Sequence, residues 1–307
     1  MTKTIATFVL IFSFLSLVGH ASNPSPGVVS ALKLDPAFGK IIGECLPAPG
    51  KRHVWLFKQW HLAPTVNTHD LAKAIELPQQ ENQRAIYRQL DRWIKDKQLT
   101  MVIGEGCSGE VLESTPMVFN GWGAPELRKN AMLPLYDDIT THIPMKLEVK
   151  YGSHVLTLCG DDDSLVRETS LAFSDARGSA GFLGRLVQHK KDPVKSKLYL
   201  DGVMEAFKLP PATTVDDAIE FLKADLRKTI EKIRKLLDKR NRKVIETLKK
   251  KETPEAAIVF GGLHAGGIKA LLEEAGVNCT VVEPTGYPGG SGGDEEGLLT
   301  RLEQILK

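Results

Sequence analysis

The chain has 307 residues, of which 42% are hydrophobic and 25% charged. Both fractions sit at globular averages, so wholesale disorder and collagen-like repeats are excluded. Lys and Arg total 40 against 38 Asp and Glu, a net charge of +2. That balance speaks against a nucleic-acid partner, because phosphate binding calls for a marked basic excess.

The first segment departs from these averages. Lys3 gives a short positive start, and Ile5 to Val18 is an apolar run. Gly19 and Ala21 place small residues before Ser22. This is the layout of a cleavable export signal over residues 1–21, and its apolar run falls short of the roughly 20 residues that span a bilayer. Removing 21 of 307 residues leaves 286, and removing Lys3 leaves 39 basic against 38 acidic groups. The expected location is secreted or periplasmic, with no membrane span in the mature chain. In such a location Cys45, Cys107, Cys159 and Cys279 are free to pair in any of three ways, while their positions in or beside apolar strands equally suit buried thiols.

Residues 22–50, rich in Pro and Gly, read as an extended lead-in. His53–Gln59 predicts a strand. Residues 80–97 predict a helix, with Ile86, Leu90, Trp93 and Ile94 on one face. Met101–Gly104 predicts a second strand, and a strand-helix-strand unit of this length implies parallel pairing. Residues 106–146 read as loops with short helices. Val155–Cys159 predicts a third strand, followed by Asp161, Asp162 and Asp163. A helical insertion is expected over about 164–251, including a long helix that begins near Thr214. From Lys223 to Lys251 that helix carries 13 Lys and Arg against 4 Asp and Glu. The surplus reads as a solvated face or as a surface for anions or membranes. Ala256–Phe260 and Cys279–Glu283 predict two further strands around a helix at Gly267 to Glu274. The expected fold is α/β, a mostly parallel sheet from two βαβ halves with the helical insertion between them, forming a single domain over residues 22–307.

Several polar groups fall at the carboxyl ends of these strands, the edge where open α/β sheets bind ligands. They are His61, Glu105, the Asp161–Asp163 run and His264. Imidazole with carboxylate is a ligand set for Zn²⁺, Mn²⁺ or Co²⁺ and equally a general acid/base set. Gly261 and Gly262 are expected to let the backbone turn sharply so that His264 faces the rim. His69, Asp70 and Glu81 are weaker candidates for the same rim. The aspartates suit a helix cap as well as a metal. Arg240, if it points inward, suits a carboxylate or a developing oxyanion. Cys107 sits in a glycine-rich stretch that does not fit a nucleophile elbow, since position 110 is Glu.

Taken in order, His61 after the first strand, Glu105 in VIGEG, the Arg240–Asn241 pair and GGLH at Gly261 to His264 resemble the TraB/TIKI superfamily, which takes in GumN-like, erythromycin-esterase-like and ChaN-like proteins. The resemblance spans most of residues 53–284. It implies an α/β fold with duplicated βαβ units. It also implies either a metal-dependent hydrolase of the metalloprotease kind or a binding protein for haem, metal or peptide. By resemblance His61, His264 and Glu105 are metal ligands or catalytic groups, with Glu105 also a general base. Arg240 becomes a substrate or transition-state contact, and the cofactor a divalent ion such as Mn, Co or Zn. The expected partner is a peptide or small-molecule substrate. The chain departs from the family at Lys58, where the motif before the first His has Gly.

Overall fold

The computed structural model describes residues 32–45, 52–60, 78–106, 108–110, 143–288 and 295–307. Residues 1–21, expected to be an export signal, and His61, His69, Asp70 and Cys107 lie outside them. The described strands are β1 (Gly39–Glu44), β2 (His53–Gln59), β3 (Met101–Gly104), β4 (Ser108–Glu110), β5 (Leu156–Gly160), β6 (Glu255–Gly261) and β7 (Asn278–Pro284). The helices are α1 (Pro78–Lys95), α2 (Ile143–Tyr151), α3 (Asp163–His189), α4 (Pro193–Phe207), α5 (Val215–Lys249), α6 (Gly262–Glu274) and α7 (Glu295–Ile305). The seven strands form one sheet in the order β1-β7-β2-β6-β3-β5-β4. Its five central strands are parallel, and β1 and β4 close the two edges in antiparallel pairing.

The sheet is built as expected from two βαβ halves, but they interleave. β6 sits between β2 and β3, and β2 sits between β7 and β6. The two crossovers therefore run in opposite directions across the sheet. Parallel crossovers are right-handed, so their helices must lie on opposite faces. The core bears this out. Trp55 and Phe57 of β2 pack with Ile86, Leu90 and Trp93 of α1 on one face. Val54 and Leu56 pack with Ala265, Ile268 and Leu272 of α6 on the other. Coverage on both faces is why the central strands read as near-continuous apolar runs such as VWLF and AAIVF.

The insertion forms a second helical layer. Asp162 caps α3 by accepting from the Ser164 and Leu165 amides, and a Thr214–Asp217 capping box starts α5. α5 has 35 residues, about 52 Å at a helical rise of ~1.5 Å per residue. Its first half packs through Leu222, Leu226, Ile230 and Ile233 in the cluster that includes Phe173 and Leu183 of α3. Its last turns bring Val244, Ile245 and Leu248 into the sheet core. The basic surplus lies on its outer side. Lys223, Lys232, Arg234, Arg242 and Lys243 form ion pairs with Glu220, Glu168, Glu303, Asp238 and Glu246. Five of the thirteen basic groups are thus ion-paired on an exposed face, and Arg240 is the buried exception. No described helix is long and apolar enough to cross a membrane.

Two segments gain structure that local pattern did not predict. The lead-in contains β1, and residues 108–110 form β4. Both are edge strands: β4 has only three residues, and β1 is largely exposed, so neither carries a clear periodic signal. Among the described residues the cysteines are paired rather than free. Cys45, just past β1, bonds Cys279 of β7. Cys159 is also disulfide-bonded.

Candidate functional site

β3, β5 and β6 are neighbours, so the residues at their carboxyl ends meet. Glu105 follows β3, Asp161 follows β5, and β6 runs directly into α6, which carries His264 in its first turn. Arg240 reaches this point from α5. Its Nε donates to both Asp161 oxygens at 3.0 and 3.1 Å. Its Nη2 donates to Asp161 Oδ2 and to Glu105 Oε1, each at 2.6 Å. The three side chains are buried to 0–1% exposure. In this dry setting a bidentate guanidinium fixes both carboxylates in position. Arg240 thus points inward, and the aspartate run divides its duties, with Asp162 capping α3 and Asp161 turned to the site.

Glu105 is held from a second direction as well. Its Oε2 accepts from the Gly261 amide at 2.5 Å, an amide at the start of α6 where the helix dipole favours negative charge. Its Oε1 lies 3.4 Å from His264 Nε2. His264 is 1% exposed, Nε2 makes no hydrogen bond among the described residues, and the ring packs edge-on against Phe260. On the other side of the ring, Nδ1 lies 2.6 Å from Asn241 Oδ1. The structure therefore brings together Glu105, Asp161, Arg240 and His264, all named from the sequence, and places Asn241 beside them.

The role expected of the glycines is corrected. Gly261 has φ −52° and ψ 143°, a conformation open to any residue, so no sharp turn is required there. Gly262 is needed for space, because a Cβ on it would overlap the Tyr287 hydroxyl. Tyr287 reaches this position from the turn after β7, and Lys58 Nζ lies 4.2 Å from its ring centroid. Lys58 is thus 8% exposed and stacked beside the start of α6. Gly262→Ala should push Tyr287 off α6 and lower the thermal midpoint. The added fluorescence and exchange of a loosened C-terminal turn would report it, and a midpoint equal to the parent would contradict it.

The backbone leading to His61 is anchored by the first turns of α1. Asn82 Oδ1 accepts from the Trp60 amide at 2.8 Å, and Gln83 Nε2 donates to the Trp60 carbonyl at 2.8 Å. Gln59 Nε2 donates to Gln83 Oε1 at 2.7 Å. Gln59 pairs in register with Gly261, so the strand that leads to His61 ends beside the strand that leads to His264. Glu81, in the same helix, is exposed and takes no part in the buried cluster.

A divalent ion would find two suitable donors here, the bare Nε2 of His264 and Oε1 of Glu105. The imidazole is backed by an amide oxygen, as metal-binding histidines commonly are. Among the described residues no group of three His, Cys, Asp or Glu is close enough to hold a metal, so a third donor would have to come from outside them. No family model, curated protein or solved structure matches the chain.

Proposed function

We propose that this protein is an exported hydrolase of the TraB/TIKI type that cleaves peptide or ester bonds, with Glu105 and His264 as its reacting pair. The observation that carries the reading is His264 Nε2, buried without a hydrogen bond among the described residues and facing Glu105 Oε1 at 3.4 Å. A buried polar atom without a partner has a cost of about 1–3 kcal/mol, and proteins tend to retain such a cost where the atom has work to do. The disulfides support export, because such bonds persist in oxidising compartments.

In this reading Glu105 accepts the proton of the attacking water. Arg240 and the Gly261 amide hold its carboxylate in one orientation, and His264 closes the other side of the reacting space. A divalent ion such as Mn, Co or Zn, held by His264, Glu105 and His61, would supply Lewis acidity at the scissile carbonyl and acidify the water. The mature chain should turn over members of a peptide and ester library with Mn²⁺ or Co²⁺ supplied. His264→Ala should lower turnover by about 10²-fold or more while leaving the circular dichroism spectrum intact. Turnover that survives both His264→Ala and chelation would sink the proposal.

The burial of Glu105 and His264, to 2% and 1% exposure, favours a second reading. In it the same groups bind a metal, a haem or a peptide without turnover. A Soret band on haem titration, or tight metal retention with no hydrolysis, would select it.

A further inference from the structure

We infer that Asn241 is a positioning residue that sets the tautomer of His264, and that Gly267 is the seat that allows it. Asn241 follows Arg240 on α5 and is 6% exposed. Its Oδ1 lies 2.6 Å from His264 Nδ1. An amide oxygen can only accept, so the ring proton belongs on Nδ1, and the neutral imidazole then carries a lone pair on Nε2. The opposite side of the ring agrees. A protonated Nε2 facing a carboxylate would close to about 2.7–2.9 Å, whereas the gap to Glu105 Oε1 is 3.4 Å with no hydrogen bond. Glu105 needs no proton from the histidine, since Arg240 Nη2 and the Gly261 amide already donate to its two oxygens.

The neighbouring helix is shaped for this contact. Gly267 lies three residues after His264, on the same side of α6. A Cβ there would overlap Asn241 Nδ2, so any larger residue would push the amide away from the ring. Gly266, its neighbour, faces open space and carries no such requirement. Two adjacent helical glycines thus differ sharply. One is replaceable, and the other is the space that Asn241 occupies.

The consequence for catalysis rests on the hydrolase reading, because a bare Nε2 is what a metal ion or a proton in transit needs. The tautomer itself does not rest on it, so the experiment reads the tautomer directly. In ¹⁵N-labelled mature protein, the His264 ring is identified among the seven histidines that remain when His20 is removed from the eight of the full chain by loss of its signals in His264→Ala. At neutral pH the one-bond proton coupling should appear on Nδ1, with Nε2 bare. Asn241→Leu should shift the proton toward Nε2 and lower kcat by about 10- to 100-fold. Asn241→Asp, which offers only acceptors, should keep the proton on Nδ1. Gly267→Ala should behave like Asn241→Leu, and Gly266→Ala like the parent. A parent ring protonated on Nε2 would mean the amide is oriented the other way and would overturn the inference. So would an Nδ1 proton that persists in Asn241→Leu. Absent hydrolysis with the predicted tautomer would remove only the hydrolase reading.

Discussion

Arg240→Met should destabilise the fold by about 3–5 kcal/mol, because it strips the counter-charge from two buried carboxylates. Glu105 and Asp161 are 2% and 1% exposed, so water cannot replace the guanidinium. Much of the loss is the cost of stranding those charges, and only a small part is the net value of the ion cluster. A second variant separates the two contributions. Arg240→Met combined with Asp161→Asn and Glu105→Gln leaves no buried charge behind and should recover much of the stability. Arg240→Lys should fall between, since an ammonium cannot reproduce the planar fork that serves Asp161 and Glu105 together. Urea midpoints for the series would decide it. A single Arg240→Met change within about 1 kcal/mol of the parent would show that the cluster is better solvated than its burial implies.

Breaking the Cys45–Cys279 bond, through paired Cys45→Ser and Cys279→Ala changes, should lower stability by about 2–5 kcal/mol. The bond joins residues 234 apart in sequence, so in the chain-entropy view it removes a large share of the freedom of the unfolded state. It also ties the end of edge strand β1 to β7, whose partner on the other side is β2. Ile41 and Ile42 of β1 are 49% and 46% exposed, so burial contributes little to holding that strand. Amide exchange should therefore rise first in Gly39–Glu44 when the bond is opened. Equal stability with and without it would show that the native strand pairing alone holds the edge.

The features that local chemistry dictates were readable before any coordinates. Val54–Phe57 and Ala256–Phe260 alternate between two buried faces, and that apolar run predicts a covered parallel sheet. Thr214 marks the start of α5, and the capping box it forms there with Asp217 spans only four residues. Glu105 and His264 stand just past apolar strands, and strand ends are where such a sheet exposes reactive groups. Each of these signals sits within a short window, where backbone geometry and burial act on neighbouring residues.

The partners of those residues were not readable. Asp161 and Arg240 are 79 residues apart, and Glu105 and Arg240 are 135 apart. Nothing local told Asp161 from Asp162, yet one anchors the guanidinium and the other caps a helix. The two glycines before His264 looked like a turn device, and only the placement of Tyr287 showed that Gly262 is there for space. The histidine's amide partner was visible only as the second half of an Arg-Asn pair.

Composition, strand pattern and strand-end chemistry thus establish the α/β class and the candidacy of Glu105 and His264 directly from the order of residues. The interleaving of the two βαβ halves, the disulfide across the edge and the buried cluster around Arg240 come from tertiary structure. The physical reason is range. Hydrophobic periodicity and capping act over one or two turns, whereas strand order is settled by how crossovers pack on opposite faces of a sheet. That order places the ends of β3, β5 and β6 side by side, and so brings Glu105, Asp161 and His264 within reach of one arginine.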